Sequence, residues 1–234
     1  MNGVIELLLA IIPAALAITL HETAHGYAAL AMGDDTAARE GRLSINPLRH
    51  VDRVGTILLP GILIFVQLLT TGRVIFLFGW AKPVPVAAWK FRNPRQGMMV
   101  VAAAGPAMNF FLAYLGAFAL RLVFDWPRGV ASLFATLFLN FILANLALGL
   151  FNLLPIPPLD GGRIMVGLLP RNLAWQWAKL ERIGILLVVV FVFVLPPLLR
   201  EFGLAFDPVG TALNVVLSQA LQIVMRLAGA PVSV

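Results

Sequence analysis

The stretch "LAITLHETAHGYAALAMG", residues 16–33, decides how the rest of the chain is read. Two histidines and a glutamate fall within five residues of an otherwise apolar segment. Polar and ionisable groups are costly inside a membrane and mark function there, so the first matter is whether this segment lies in one. Of the 234 residues, 60% are hydrophobic and only 12% charged, against about 25% charged in a soluble domain. Mean hydropathy is +0.92. The apolar residues come in long blocks, and roughly 20 in a row cross about 30 Å of hydrocarbon. The chain therefore reads as an all-α polytopic membrane protein.

The formal charge of +6 and the isoelectric point near 10.8 do not point to nucleic acid in so apolar a chain. They fit Lys and Arg gathered in short cytoplasmic loops of a protein held in a lipid bilayer. There is no cysteine, which excludes disulfides and thiolate metal sites, so any metal must be held by His, Asp or Glu. Ala15-Leu16-Ala17 resembles a signal-peptide cleavage site. The first twenty residues, however, carry no Lys or Arg, so the segment is expected to stay as a membrane helix.

Working outward, membrane spans are expected at about 4–32, 98–124, 130–154 and 183–199. "GDDTAAREGRLSINPLRHVDR" (33–53) has the Gly, Asp, Asn and Pro content of loops and short strands. "VGTILLPGILIFVQLL" (54–69) is short for a span, and residues 71–97 carry five basic residues and no acidic one. In 207–227 the polar residues Asp207, Thr211, Asn214, Ser218, Gln222 and Arg226 recur every three or four positions, on one helical stripe. This helix is a sixth membrane helix with its polar stripe against the bundle, or an amphipathic helix in the interface, the preferred reading. With no long polar connection, residues 1–234 read as one membrane domain of about five transmembrane helices, with a re-entrant hairpin or short strands and the C-terminal amphipathic helix.

His21, Glu22 and His25 spell H-E-x-x-H. On a helix, positions i and i+4 share a face, so both imidazoles can take adjacent corners of one zinc ion. Glu22, beside them, is placed to take a proton from water whose pKa the metal lowers to about 7. The plainer alternative is a set of interfacial polar residues with local hydrogen bonds. It would bury three such groups in an apolar segment without compensation. A catalytic zinc takes three protein ligands, and the best-placed third is Asp160 in "NLLPIPPLDGGR" (152–163). There the prolines end the fourth block, and Gly161-Gly162 permit close backbone approach and positive φ. Read plainly, Asp160 is an ordinary helix-ending carboxylate. His50, in "NPLRHVD", reads as a surface or loop histidine with a local hydrogen bond.

"HETAH", "AAAGPAMN" (102–109) and "FNLLPIPPLDGGR" (151–163), in this order, resemble the site-2 proteases, intramembrane zinc metalloproteases. "SINPLRHVDRVGT" (44–56) and "FGWAKPVPV" (78–86) are similar to the connecting segment of a bacterial subgroup without a PDZ domain. The resemblance implies one Zn2+ held by His21, His25 and Asp160, with Glu22 as general base. It implies that Asn152 positions substrate or stabilises the oxyanion, as a side-chain amide can; a helix cap or an interhelical hydrogen bond is the alternative. Gly105, Pro106 and Asn109 look architectural: close packing, a kink, and an amide bridging helices. The implied substrate is a transmembrane protein, cut within its membrane segment, in the bacterial inner membrane with the site toward the cytoplasm. Two rivals are a metal transporter and a non-catalytic homologue that binds membrane helices. The first would need a second set of intramembrane ligands, and the second has no use for Glu22.

For His21, His25 and Asp160 to meet, the end of the first block and the end of the fourth must lie on one side. The basic stretch 71–97 makes that side cytoplasmic. Residues 54–81 must then dip in and return, since a 16-residue helix reaches about 24 Å and eight extended residues about 26 Å. An exposed strand edge near the site is expected to pair with an unwound substrate segment.

Overall fold

The computed structural model describes residues 3–72, 79–123, 125–204 and 206–231. Six helices among them are long and apolar enough to cross a membrane. The first, α1 (Gly3–Ala31), is 29 residues long, about 44 Å at 1.5 Å per residue, so the H-E-x-x-H turn sits well inside one continuous helix. A short turn α2 (Thr36–Arg39) and a 3-10 turn at Pro47–His50 follow. A wide turn at Arg53–Leu58, capped by the Asp52 carboxylate, then leads into α3 (Leu59–Thr71).

The expected return of residues 54–81 can be followed at its two ends, while its middle, 73–78, lies outside the described residues. Trp80 N–H donates to Gly55 O at 3.2 Å, Thr56 Oγ1 donates to Trp80 O at 2.9 Å, and Lys82 N–H donates to His50 O at 2.8 Å. Residues 79–87 form no regular element, and no strand forms among the described residues. Pro83 and Pro85 supply no N–H for a ladder, and the connection 33–53 folds into short turns capped by Asn46 and Asp52 instead of strands.

At the centre is α4 (Pro94–Val123), which continues through Pro106 and packs against α1, α5 (Arg128–Asn152), α6 (Asp160–Leu168) and α10 (Pro208–Ala228). Small residues bring α4 close to its neighbours: Ala113 and Ala117 are fully buried with Ile142 and Leu146 of α5 and Met225 of α10. Between α6 and α10 lie α7 (Arg171–Lys179), α8 (Glu181–Val188) and α9 (Leu195–Glu201). The outer faces expose large apolar side chains, among them Val4 and Leu7 of α1, Phe65 of α3 and Phe111 of α4. Such faces belong against lipid. The protein is an integral membrane protein. In α10 the polar stripe is exposed at Thr211, Asn214, Ser218, Gln222 and Arg226, and the apolar face ending in Val224, Met225 and Ala228 packs on α4 and α5. Most of the stripe is thus turned away from α4 and α5, while Asn214 lines a cavity shared with α1 and α5.

Candidate metal centre

One turn of α1 places His21 and His25 side by side, buried, with ring centroids 4.6 Å apart. The third group arrives from α6. Helix α5 ends at Asn152, before the prolines, and the loop 153–159 turns the chain so that Asp160 opens α6 beside the two rings. Gly161 and Gly162 make this possible by close approach alone. A Cβ on Gly161 would collide with the Leu153 carbonyl and one on Gly162 with Pro157 N, while neither glycine takes the positive φ that the sequence allowed.

The donor atoms form a nearly equilateral triangle. His21 Nε2 lies 3.1 Å from His25 Nε2 and 3.2 Å from Asp160 Oδ2, and His25 Nε2 lies 3.3 Å from the same oxygen. Ligands about 2.0–2.1 Å from a tetrahedral zinc stand on the order of 3.3 Å apart, so the triangle has the size of three zinc corners. Its protonation agrees. His21 Nδ1 faces Asn109 Oδ1 at 2.6 Å and His25 Nδ1 faces the Val101 carbonyl at 2.7 Å. Both partners are acceptors, so each ring carries its proton on Nδ1 and turns the Nε2 lone pair inward. Asp160 Oδ2, also buried, receives no hydrogen bond. With both imidazoles neutral, three lone pairs converge on one point, an arrangement that a bound cation satisfies.

Gly105 of α4 makes the room: a Cβ there would lie 2.5 Å from His25 Cε1 and 2.6 Å from His21 Cε1. The sequence reading gave Gly105 to helix packing, and the structure gives it to the imidazoles. Asn109 bridges helices as read, since its Nδ2 donates to Asn145 Oδ1 of α5 at 2.9 Å and to Ala17 O of α1 at 3.4 Å. Its contact with His21 went unread.

Glu22 and Asn152 line the cavity of about 380 Å³ that contains His21, His25 and Asp160. Glu22 Oε2 accepts the Val84 N–H at 3.1 Å, and Asn152 Nδ2 donates to Leu148 O, one turn back in its own helix, at 3.1 Å. The segment 79–87, which lines the cavity, is strapped down at both ends. Buried Arg42 donates from Nη2 to Lys82 O at 2.6 Å and to Pro83 O at 3.4 Å, and from Nη1 to Arg49 O. Fully buried Asp34 accepts from Ala87 N at 2.6 Å and from Thr36 N at 3.0 Å, and pairs with Lys90 Nζ at 3.1 Å. The Asp34 carboxyl is pulled down to about 2: burial acts to raise it and is outweighed by the bonds from Thr36 and Ala87 and by Lys90. His50 is buried rather than on the surface, with Nε2 2.8 Å from Ser44 O, and it is not among the metal-holding group.

A relative from Bacillus subtilis, named "Putative zinc metalloprotease YwhC", is 40% identical over 185 residues, covering 77% of this chain and 78% of its own. The model of peptidase family M50 matches residues 127–196, a stretch that includes Asp160. The chain belongs to peptidase family M50, the site-2 protease family. "Putative zinc metalloprotease Rip2" of Mycobacterium tuberculosis is 35% identical over 146 residues, 62% of this chain and 51% of that protein. Its namesake in Mycolicibacterium smegmatis is 29% identical over 187 residues, 80% of this chain. No solved structure matches. Family and geometry agree on a membrane metalloprotease, and zinc is the metal that the two imidazoles and one carboxylate suit.

Proposed function

We propose that this member of the family is an intramembrane endopeptidase, hydrolysing peptide bonds within the transmembrane segments of other membrane proteins. The observation that carries the reading is the triangle of proton-free donors with Glu22 in the same cavity, set among helices whose outer faces are apolar. His21, His25 and Asp160 hold the metal. Zinc bound there supplies a Lewis acid for the scissile carbonyl and brings the pKa of water to about 7. Glu22 takes the proton of the attacking water and passes it to the leaving amine nitrogen. The Val84 N–H holds its carboxylate in the cavity wall. Asn152, at the cavity edge, donates to the developing oxyanion once its amide leaves Leu148 O.

The donors line a cavity of about 380 Å³, into which a substrate must present an unwound segment for its peptide bonds to reach the metal. The strap does not offer that segment a free ladder, because the N–H groups of Lys82, Val84 and Ala87 are engaged within the protein. The end of the molecule that bears the site also bears Arg42, Lys82, Lys90, Arg95 and Arg163. That charge supports a cytoplasmic site in a bacterial inner membrane, with residues 54–81 as a re-entrant element of a single membrane domain.

The test is Glu22→Gln. Zinc content should stay at wild type while cleavage falls by about 10²–10⁴, the usual contribution of a general base. Proteomics of membrane fractions should show fragments ending inside transmembrane segments only in cells with the active form. The same fragments in both strains would refute the reading.

A further inference from the structure

Two amides, Asn109 of α4 and Asn145 of α5, are wholly buried between the helices that carry the site. Their orientations follow from a fixed starting point. The Phe141 carbonyl can only accept, and it receives Asn145 Nδ2–H at 2.8 Å. Asn145 therefore turns Oδ1 toward α4, where it accepts from Asn109 Nδ2 at 2.9 Å. That leaves Asn109 Oδ1 against His21 Nδ1 at 2.6 Å. An oxygen there accepts, so the ring proton sits on Nδ1 and the Nε2 lone pair is free. Reversing both amides would turn two N–H donors at His21 and at Phe141 the wrong way round. It would set an N–H against Nδ1, move the ring proton to Nε2, and oppose two oxygens at Phe141. His25 reaches the same tautomer in one step, through the Val101 carbonyl.

We propose that Asn145 is a positioning residue of the metal centre: it holds the Asn109 amide in the orientation that fixes His21 as the Nδ1–H tautomer, leaving Nε2 to face the metal. The proposal rests on His21 being a ligand. Asn145 touches neither the donors nor the substrate cavity, and it acts only through Asn109.

The experiment uses the full chain in detergent, with ¹⁵N-labelled histidine. In the metal-free wild type, the His21 signal, assigned by its loss in His21→Ala, should show the proton on Nδ1; a proton on Nε2 overturns the proposal without any variant. In Asn145→Leu the tautomers should mix, and zinc affinity measured by chelator competition should fall about tenfold, the lower end of what supporting partners of metal ligands contribute. Asn145→Asp keeps an acceptor toward Asn109 in either protonation state and should restore both readouts. A folded N145L with wild-type tautomer and wild-type affinity overturns the relay. If N145L does not fold, the wild-type tautomer and the N145D affinity decide, and N145D with mixed tautomers counts against the proposal. Zinc bound by H21A as tightly as by wild type would instead overturn the ligand assignment on which the proposal rests.

Discussion

Gly105→Ala puts one methyl group where the two imidazoles meet. Its carbon would lie 2.5 Å from His25 Cε1, 2.6 Å from His21 Cε1 and 2.6 Å from His25 Nε2. Carbon atoms settle at about 3.5–4.0 Å, so the rings must retreat by roughly 1 Å. Metal–ligand distances tolerate about ±0.2 Å, several times less. The rings cannot slide away and keep their hydrogen bonds, because Asn109 Oδ1 and Val101 O hold them at 2.6 and 2.7 Å. At least one donor leaves the triangle, a larger insult than losing a partner of a ligand, which costs 10–100-fold. Zinc affinity should therefore fall by at least about 100-fold, or about 2.7 kcal/mol, and peptidase activity with it. The helix itself should not suffer, since Ala is the better helix former by about 1 kcal/mol. The assay is chelator competition on the purified protein, with circular dichroism to confirm an intact bundle. A folded G105A that binds zinc as wild type does would refute the placement of the rings against α4.

Removing the first link to His21 should be milder. Asn109→Leu leaves the Nδ1–H of a buried ring unpaired, and zinc affinity should drop 10–100-fold by the same competition assay. The strap makes a pH prediction. Because the Asp34 carboxyl is lowered to about 2 from 3.8, its contribution is complete above the unfolded value and is lost as pH falls through the folded one. Between pH 4 and pH 2 the wild type should lose up to about 2 kcal/mol that Asp34→Asn never had, read as a steeper fall in melting temperature. At neutral pH, D34N should raise KM and lower kcat together, since the strap both lines the cavity and, through the Val84 N–H, holds Glu22.

The parts that could be read from sequence were those written in side-chain type and spacing. The span positions followed from apolar blocks, the His21–His25 pair from an i, i+4 interval, and Asp160 from the prolines and glycines that turn the chain. What escaped depends on which elements come to neighbour one another. The Val84 N–H on Glu22 and the Val101 carbonyl on His25 are backbone groups, which every residue carries, so no residue type announces them. Asp34 and Arg42 were lost among the other charges of a loop. Their burial against residues 82–87 is set by tertiary contacts. Asn145 did leave a trace, an amide inside the apolar block 130–154, and intramembrane polarity is a functional signal.

The polar groups at the site also discriminate between hydrolysis and ion transport. With no water to turn to in hydrocarbon, each must be satisfied within the protein. Around His21 and His25 this has been done: the ring protons go to Asn109 and Val101, and the Asn109 amide to Asn145 and Ala17. With neutral imidazoles, the atoms left to take a cation are the three that face one another at 3.1–3.3 Å. A transported ion leaves its site in every cycle, so a transport site has to be tolerable when empty. Here the supporting hydrogen bonds commit both rings to lone pairs pointing inward, toward a carboxylate oxygen that has no donor. The empty state is penalised by the same bonds that preorganise the bound one, as suits a metal that stays. Among the described residues there is no second group of this kind to which an ion could pass. A resident metal beside Glu22 is what hydrolysis needs, and the hydrogen bonds that the two rings make to Asn109 and Val101 behind them are arranged to keep it there.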